Sequence, residues 1–117
     1  MDTHLIDLDA DLRDCIAQCT ACHQACTELV SHCLDRGGEH AARAHINLLL
    51  ACADICRTSA DTMLRQVPQH AATCRACAEL CTACADECAR MGSDDPVMQR
   101  CAEICRACAE SCEEMAG

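Results

Sequence analysis

Small and apolar residues recur at alternating intervals of three and four along most of the 117-residue chain, separated by Asp, Glu, Arg, Gln and Thr. That is the spacing of a seam running down an α-helix. The pattern breaks where Gly37 and Gly38 supply left-handed residues, before Pro68, and again between Gly92 and Pro96. Helices are therefore expected over about 4–36, 39–66, 69–91 and 94–115. Thr3 or Asp7 is the expected cap of the first helix, and Ser93 or Asp94 that of the last. Connections this short make neighbours antiparallel. The predicted fold is all-α, an up-down-up-down four-helix bundle occupying residues 1–117 as a single domain.

The seam is made mainly of sulfur. Helix one turns Leu8, Leu12, Cys15, Cys19, Cys22, Cys26, Leu29 and Cys33 inward, and helix three Cys74, Cys77, Cys81, Cys84 and Cys88. Helix four contributes Met98, Cys101, Cys105, Cys108, Cys112 and Met115. Helix two has only Cys52 and Cys56, with His45, Leu49, Ser59 and Met63 completing its stripe. The pattern C-x-x-x-C-x-A-C-x-x-x-C repeats from Cys15, Cys77 and Cys101; in helix two Ser59 and Met63 stand where the third and fourth cysteines would be.

Composition changes the picture of the core. There are 16 Cys and 21 Ala but 18 Leu, Ile and Val together and no aromatic residue. So few large aliphatics in a charged chain would suggest disorder, yet alanine and the sustained helical period predict an ordered bundle with a cysteine-lined core. A net charge of -10, from 9 Arg and 19 carboxylates, argues against nucleic acid or an anionic membrane as partner. The chain shows no charged leader followed by an apolar run, and Ile46 to Ala53 is too short to span a bilayer, so a cytoplasmic protein is expected. In a reducing compartment its cysteines point to metal rather than disulfides.

A rise of about 1.5 Å per residue sets the depth of each side chain below the loop end that carries Gly37 and Gly92. Cys33 and Cys88 fall at roughly 5 Å, His45, Cys84 and Cys101 at roughly 10 Å, and Cys26, Cys81 and Cys105 at roughly 15 Å. Cys22, Cys52, Cys77 and Cys108 share roughly 20 Å, Cys19, Cys56, Cys74 and Cys112 roughly 25 Å, and Cys15 lies near 31 Å. The result is a column of thiols closed at the far end by Leu8, Leu12, Met63 and Met115. Inert burial would waste core volume that Leu would fill. Cysteines four apart on one helix have Cβ atoms about 5–6 Å apart, too far for an undistorted disulfide.

Thiolates with few imidazoles select soft ions: Cu(I), Zn(II) or iron–sulfur clusters. Structural zinc prefers separate tetrahedral sets, whereas Cu(I) accepts two or three thiolates and shared sulfurs, giving a capacity from roughly eight ions to roughly sixteen or slightly more. Cys15, Cys19 and Cys22 spell the C-x-x-x-C-x-x-C of radical SAM enzymes, but the chain is too short for that barrel, and no Cys-Pro closes a ferredoxin-type run. A zinc or iron–sulfur protein, or a redox enzyme using a Cys-ligated cluster, is the alternative to a Cu(I)-binding one.

The runs CTACHQAC from Cys19, CADIC from Cys52, CTACADEC from Cys81 and CAEICRAC from Cys101 resemble bacterial copper storage proteins of the cytosolic type, across essentially the whole chain. The resemblance implies Cu(I) storage or buffering by the cysteines inside the bundle without enzymatic turnover, a homotetramer, and an ion entrance at one bundle end. A copper chaperone or exporter is the partner class such a store would meet. His45 stands where such proteins would carry another cysteine, and is expected as a ligand beside Cys84 and Cys101. The Arg90–Arg100 loop lacks the His-rich run that some members have. Met91, Met98 and His40 are the expected entrance residues there. His4, His23, His32 and His70 are expected to be structural or solvent-facing, with His70 near Cys15.

Overall fold

The computed structural model describes residues 4–117. Helix α1 spans Ala10–Arg36, α2 Arg43–Leu64, α3 His70–Met91 and α4 Pro96–Ala116, with a 3-10 turn at Gly38–Ala41 between α1 and α2. Consecutive helices pack side by side and α1 packs on α4, which closes the four into a bundle.

Several boundaries differ from the sequence expectation, each for a local reason. Helix α1 starts at Ala10, six residues after the expected start at 4, because Asp9 is its cap: the Asp9 carboxylate accepts from the backbone N–H groups of Asp11 and Leu12. Asp7 lies outside the helix, and Thr3 lies outside the described residues. At the other end Gly37 takes φ 72° and its N–H donates to the Cys33 carbonyl, 3.1 Å away. The following residues wind into the tight 3-10 turn, and Ala42 is extended, so α2 begins at Arg43 rather than at 39. Nothing in the Ala-rich stretch around 41–44 marks that break. Helix α2 ends at Leu64, two residues before the expected 66, since Gln66 adopts a positive φ of 55°. Helix α4 is capped by Asp95 rather than Ser93 or Asp94, with Pro96 in its first turn where a missing N–H does no harm.

The core is the sulfur seam. All sixteen cysteines are buried, none more than 3% exposed, together with Leu29, Leu49, Met63 and Met98. Alanines 53, 60, 78, 85, 102 and 109 fill the gaps between them and let the helices approach closely. Leu8, Leu12 and Met115 are half-buried against this core. Of the residues flanking the seam, Ile16 is buried and Leu50 is 43% exposed.

Candidate metal centre

Each helix contributes thiols at i, i+3 or i+4 because those positions share one face, and antiparallel neighbours bring the faces together. The thiols meet across helices. Near the chain termini Cys112 lies 3.8 Å from Cys15 and 3.5 Å from Cys19, and Cys19 is 3.8 Å from Cys108. Cys74 completes a trio with Cys15 and Cys112, and its thiol also faces Ser59 Oγ at 3.4 Å and Met63 Sδ at 3.8 Å. In the middle, Cys56 is 3.6 Å from Cys77 and 3.5 Å from Cys81. Cys22 is 4.0 Å from Cys52, 3.8 Å from Cys81 and 3.6 Å from Cys105, and Cys26 is 3.8 Å from Cys105.

Among the described residues, five groups hold ligand atoms that all lie within 4.8 Å of one another. They are Cys19, Cys77, Cys108 and Cys112; Cys56, Cys77, Cys81 and Cys108; Cys22, Cys52, Cys56 and Cys81; Cys22, Cys26, Cys52 and Cys105; and Cys15, Cys74 and Cys112. Together they include twelve of the sixteen cysteines, and the groups share members, so they form a connected chain.

The depths estimated from helix rise are shifted in a systematic way. Side chains lean toward the N-terminus of their own helix. On α2 and α4 that lean is toward the loop end, and on α1 and α3 it is away from it. Cys56 therefore meets Cys81, which the rise alone places about two turns nearer the loops. His45 likewise reaches toward the loops: its Nε2 lies 3.3 Å from Cys33 Sγ, rather than simply level with Cys84 and Cys101.

The loop end has a different make-up. Cys33, Cys84, Cys88 and Cys101 are buried but belong to none of the five groups. Met98 is fully buried, with its Sδ 3.6 Å from Cys33 Sγ, while Met91 and His40 are half-buried at the same end, the Nε2 of His40 without a hydrogen-bond partner among the described residues. His23 Nδ1–H donates to the Ala53 carbonyl at 2.9 Å, His32 pairs with Asp95 at 2.8 Å, and His70 is half-buried with Nδ1 unpartnered.

Electrostatics follow from burial without counter-charge. The Cys33 thiol is pushed up to about 11, first by burial and then by the Asp95 carboxylate. Burial holds the His45 imidazole below its ordinary value, partly offset by Glu87, so the ring is neutral and available as a ligand. Within the shared groups the thiols shift one another through their mutual hydrogen bonds. Cys19, hydrogen-bonded by Cys108 and Cys112, is drawn down to about 5, whereas Cys112 is raised by Cys108, Cys15 and Cys19. A soft monovalent ion at each shared position would replace those protons and leave the core neutral.

The sequence model of the copper storage protein family, Csp, matches residues 8–117. The chain belongs to that family. Among solved structures, the Cu(I)-bound copper storage protein BsCsp3 is 34% identical, with a TM-score of 0.84 over 92% of this chain and 99% of that one. The copper storage protein Ccsp from Streptomyces lividans, loaded with 10 copper equivalents, is 33% identical, with a TM-score of 0.83 over 97% of this chain and 92% of that one. A structure of a cytosolic copper storage protein from Streptomyces lividans with five coppers is 34% identical, with a TM-score of 0.81 over 91% and 92% of the two chains. The all-α four-helix bundle with a cysteine-lined core is the fold of these relatives too.

Two residues near the sulfur column were not singled out by the sequence. Glu87 faces His45 Nδ1 at 4.0 Å, and Asp95 accepts from Met98 N–H at 3.4 Å while bonding His32 and Arg36. Asp95 carries a signal, since Asp before Pro is a usual helix start. Glu87 carries none, because only the tertiary fold sets it against His45.

Proposed function

We propose that this chain stores and buffers Cu(I), taking many ions per chain on the thiolates of Cys15, Cys19, Cys22, Cys26, Cys33, Cys52, Cys56, Cys74, Cys77, Cys81, Cys84, Cys88, Cys101, Cys105, Cys108 and Cys112. The observation that carries this is the sharing of thiols: Cys22, Cys52, Cys56, Cys77, Cys81, Cys108 and Cys112 each belong to two groups. Separate tetrahedral zinc sites would compete for those shared sulfurs, whereas Cu(I) takes two or three bridging thiolates and can chain along them. It acts as a store in the cytoplasm without turnover, assembles as a homotetramer, and exchanges ions with a copper chaperone or exporter. Met91, Met98 and His40 at the loop end favour entry there, because thioether and imidazole hold Cu(I) more loosely than thiolate. None of the described helices is long and apolar enough to cross a membrane.

Anaerobic titration with Cu(I) against a competing chelator tests this. Storage requires several tight equivalents per chain, at least about eight if each pair of thiolates holds one ion. Saturation at one or two equivalents, or displacement of Cu(I) by Zn(II), would remove the proposal.

A further inference from the structure

The loop end of the column brings three different soft donors together. Cys33 Sγ lies 3.3 Å from His45 Nε2 and 3.6 Å from Met98 Sδ. All three residues are buried, at 0%, 3% and 0% exposure. Donors about 2.0–2.3 Å from a metal at the centre of a triangle lie about 3.5–4.0 Å from one another, so the two separations from Cys33 Sγ are within a few tenths of an ångström of two sides of such a set.

We propose that Cys33 Sγ, His45 Nε2 and Met98 Sδ form a discrete Cu(I) site, chemically distinct from the thiolate groups below it, with Glu87 as the residue that positions the imidazole. The proposal rests on the copper-storage reading and adds a site to it. Charge selects the ion. One thiolate, one neutral imidazole and one thioether make an uncharged complex with a monovalent cation, whereas a divalent ion would leave a net positive charge buried.

The surroundings are arranged around these donors. His45 Nδ1 is buried without a hydrogen-bond partner, and Glu87 Oε1 stands 4.0 Å away, itself bonded by Arg90 Nη2 at 2.8 Å. A closure of about 1 Å makes the Nδ1–H···Oε1 bond that fixes the tautomer and turns the Nε2 lone pair toward Cys33. Met98 is held from two sides. Gly92 leaves the space it fills, since a Cβ there would sit 2.2 Å from Met98 Cβ, and Asp95 accepts the Met98 N–H. Weak donors at the mouth and strong ones deeper give an ion a downhill path inward.

The test follows nuclear signals of the donors themselves in the full chain, labelled with 15N-histidine and 13C-methyl methionine and titrated anaerobically with Cu(I). The expected result is that one imidazole Nε2 resonance and one methionine methyl shift together. His45→Gln should abolish the first, Met98→Leu the second, and either should weaken the remaining shift by at least about tenfold in Cu(I) concentration. Glu87→Gln should keep both shifts but move their midpoint about tenfold higher and broaden the Nδ1 proton signal, which a merely structural role would not do. Loading of many equivalents in the wild-type protein with both resonances unmoved would overturn the site while leaving the store intact. Saturation of the same pair by Zn(II) as tightly as by Cu(I) would also overturn it. Failure of the protein to take up Cu(I) at all would sink the storage reading and the site with it.

Discussion

The two ends of the sulfur column solve different problems. From the termini to the middle, twelve cysteines lie in overlapping groups whose members all stand within 4.8 Å, packed among alanines, Ile16 and Met63. At the loop end the remaining four stand with His45 and Met98, both of which touch Cys33; Asp95, His32 and Arg36 tie the start of α4 to α1, and Arg90 bonds Glu87 in the last turns of α3. The first region suits capacity, because a sulfur shared by two groups can bridge two ions. The second suits exchange, because mixed donors bind less tightly and charged groups fix where they point. The two ends of the column thus differ in donor set, a uniform sulfur interior against a mixed-donor mouth.

The comparison breaks most visibly in capacity. Cys22 belongs to two groups and touches Cys52, Cys81 and Cys105, whereas Cys88 belongs to none. Cys22→Ser is expected to lower the Cu(I) capacity by about two ions and Cys88→Ser by about one at most, because a hydroxyl is a poor ligand for a soft ion. Metal counting after anaerobic loading and desalting measures it. Equal losses would mean that the sharing of thiols has no functional weight.

Next in size is the dependence on pH. Every thiol that becomes a ligand gives up its proton, so affinity falls as pH falls. Cys33, pushed up to about 11, is a thiol throughout the neutral range, and the lowered His45 stays neutral. Binding at the mouth should therefore weaken about tenfold per pH unit, one proton per ion. In the interior at low loading, where the first ions can each draw two thiolates, the slope should approach about a hundredfold per unit. Groups holding an already lowered thiol such as Cys19, at about 5, should depart from that limit. Chelator competition at several pH values separates the slopes, and a single common slope would erase the distinction.

The interior was far more legible in the sequence than the mouth. Three-and-four spacing of cysteine on four Ala-rich segments specifies both the helices and the buried face, and Gly37, Pro68 and Gly92 mark the breaks. Rise per residue then orders the thiols, though it misses the opposite lean of side chains on antiparallel helices, which pairs Cys56 with Cys81 and His45 with Cys33. The mouth depends on turns. The 3-10 turn that begins at Gly38 has no distinctive residue pattern, and Glu87 meets His45 only through packing of α3 on α2. Acidic residues beside cysteines occur along every helix, so sequence alone does not select that one.

A steric change sharpens the comparison at a smaller scale. Gly92→Ala places a Cβ 2.2 Å from Met98 Cβ and 2.9 Å from the Cys88 carbonyl, neither of which is the free end of a flexible chain. Overpacking of this kind is expected to cost about 1–3 kcal/mol in apo-protein stability by denaturant unfolding. It should also displace Met98 from Cys33. Ala83→Ser, at an exposed position of α3 itself, should cost no more than about 0.5 kcal/mol.

The smallest effect concerns the clasp at the start of α4. Asp95 is 3% exposed, caps the helix through the N–H groups of Val97 and Met98, and ties it to α1 through His32 at 2.8 Å and Arg36 at 3.2 Å. Asp95→Ala should cost about 1 kcal/mol, a fall of about 4 °C in the apo Tm. Asp95→Asn keeps a capping oxygen and should cost less, so the difference between the two variants isolates the cap from the ion pairs. The carboxyl lies below its ordinary 3.8, chiefly through the hydrogen bond to His32. Its charge-dependent contribution is therefore present in full above that value and is lost as the pH falls through the lower folded value. Wild type and Asp95→Asn should begin to converge in stability as the pH falls below about 4, meeting only below the lower folded value, and differ most near neutrality. A constant gap across that range would show that α4 is held by packing alone, and that the mouth needs no charged clasp to keep Met98 beside Cys33.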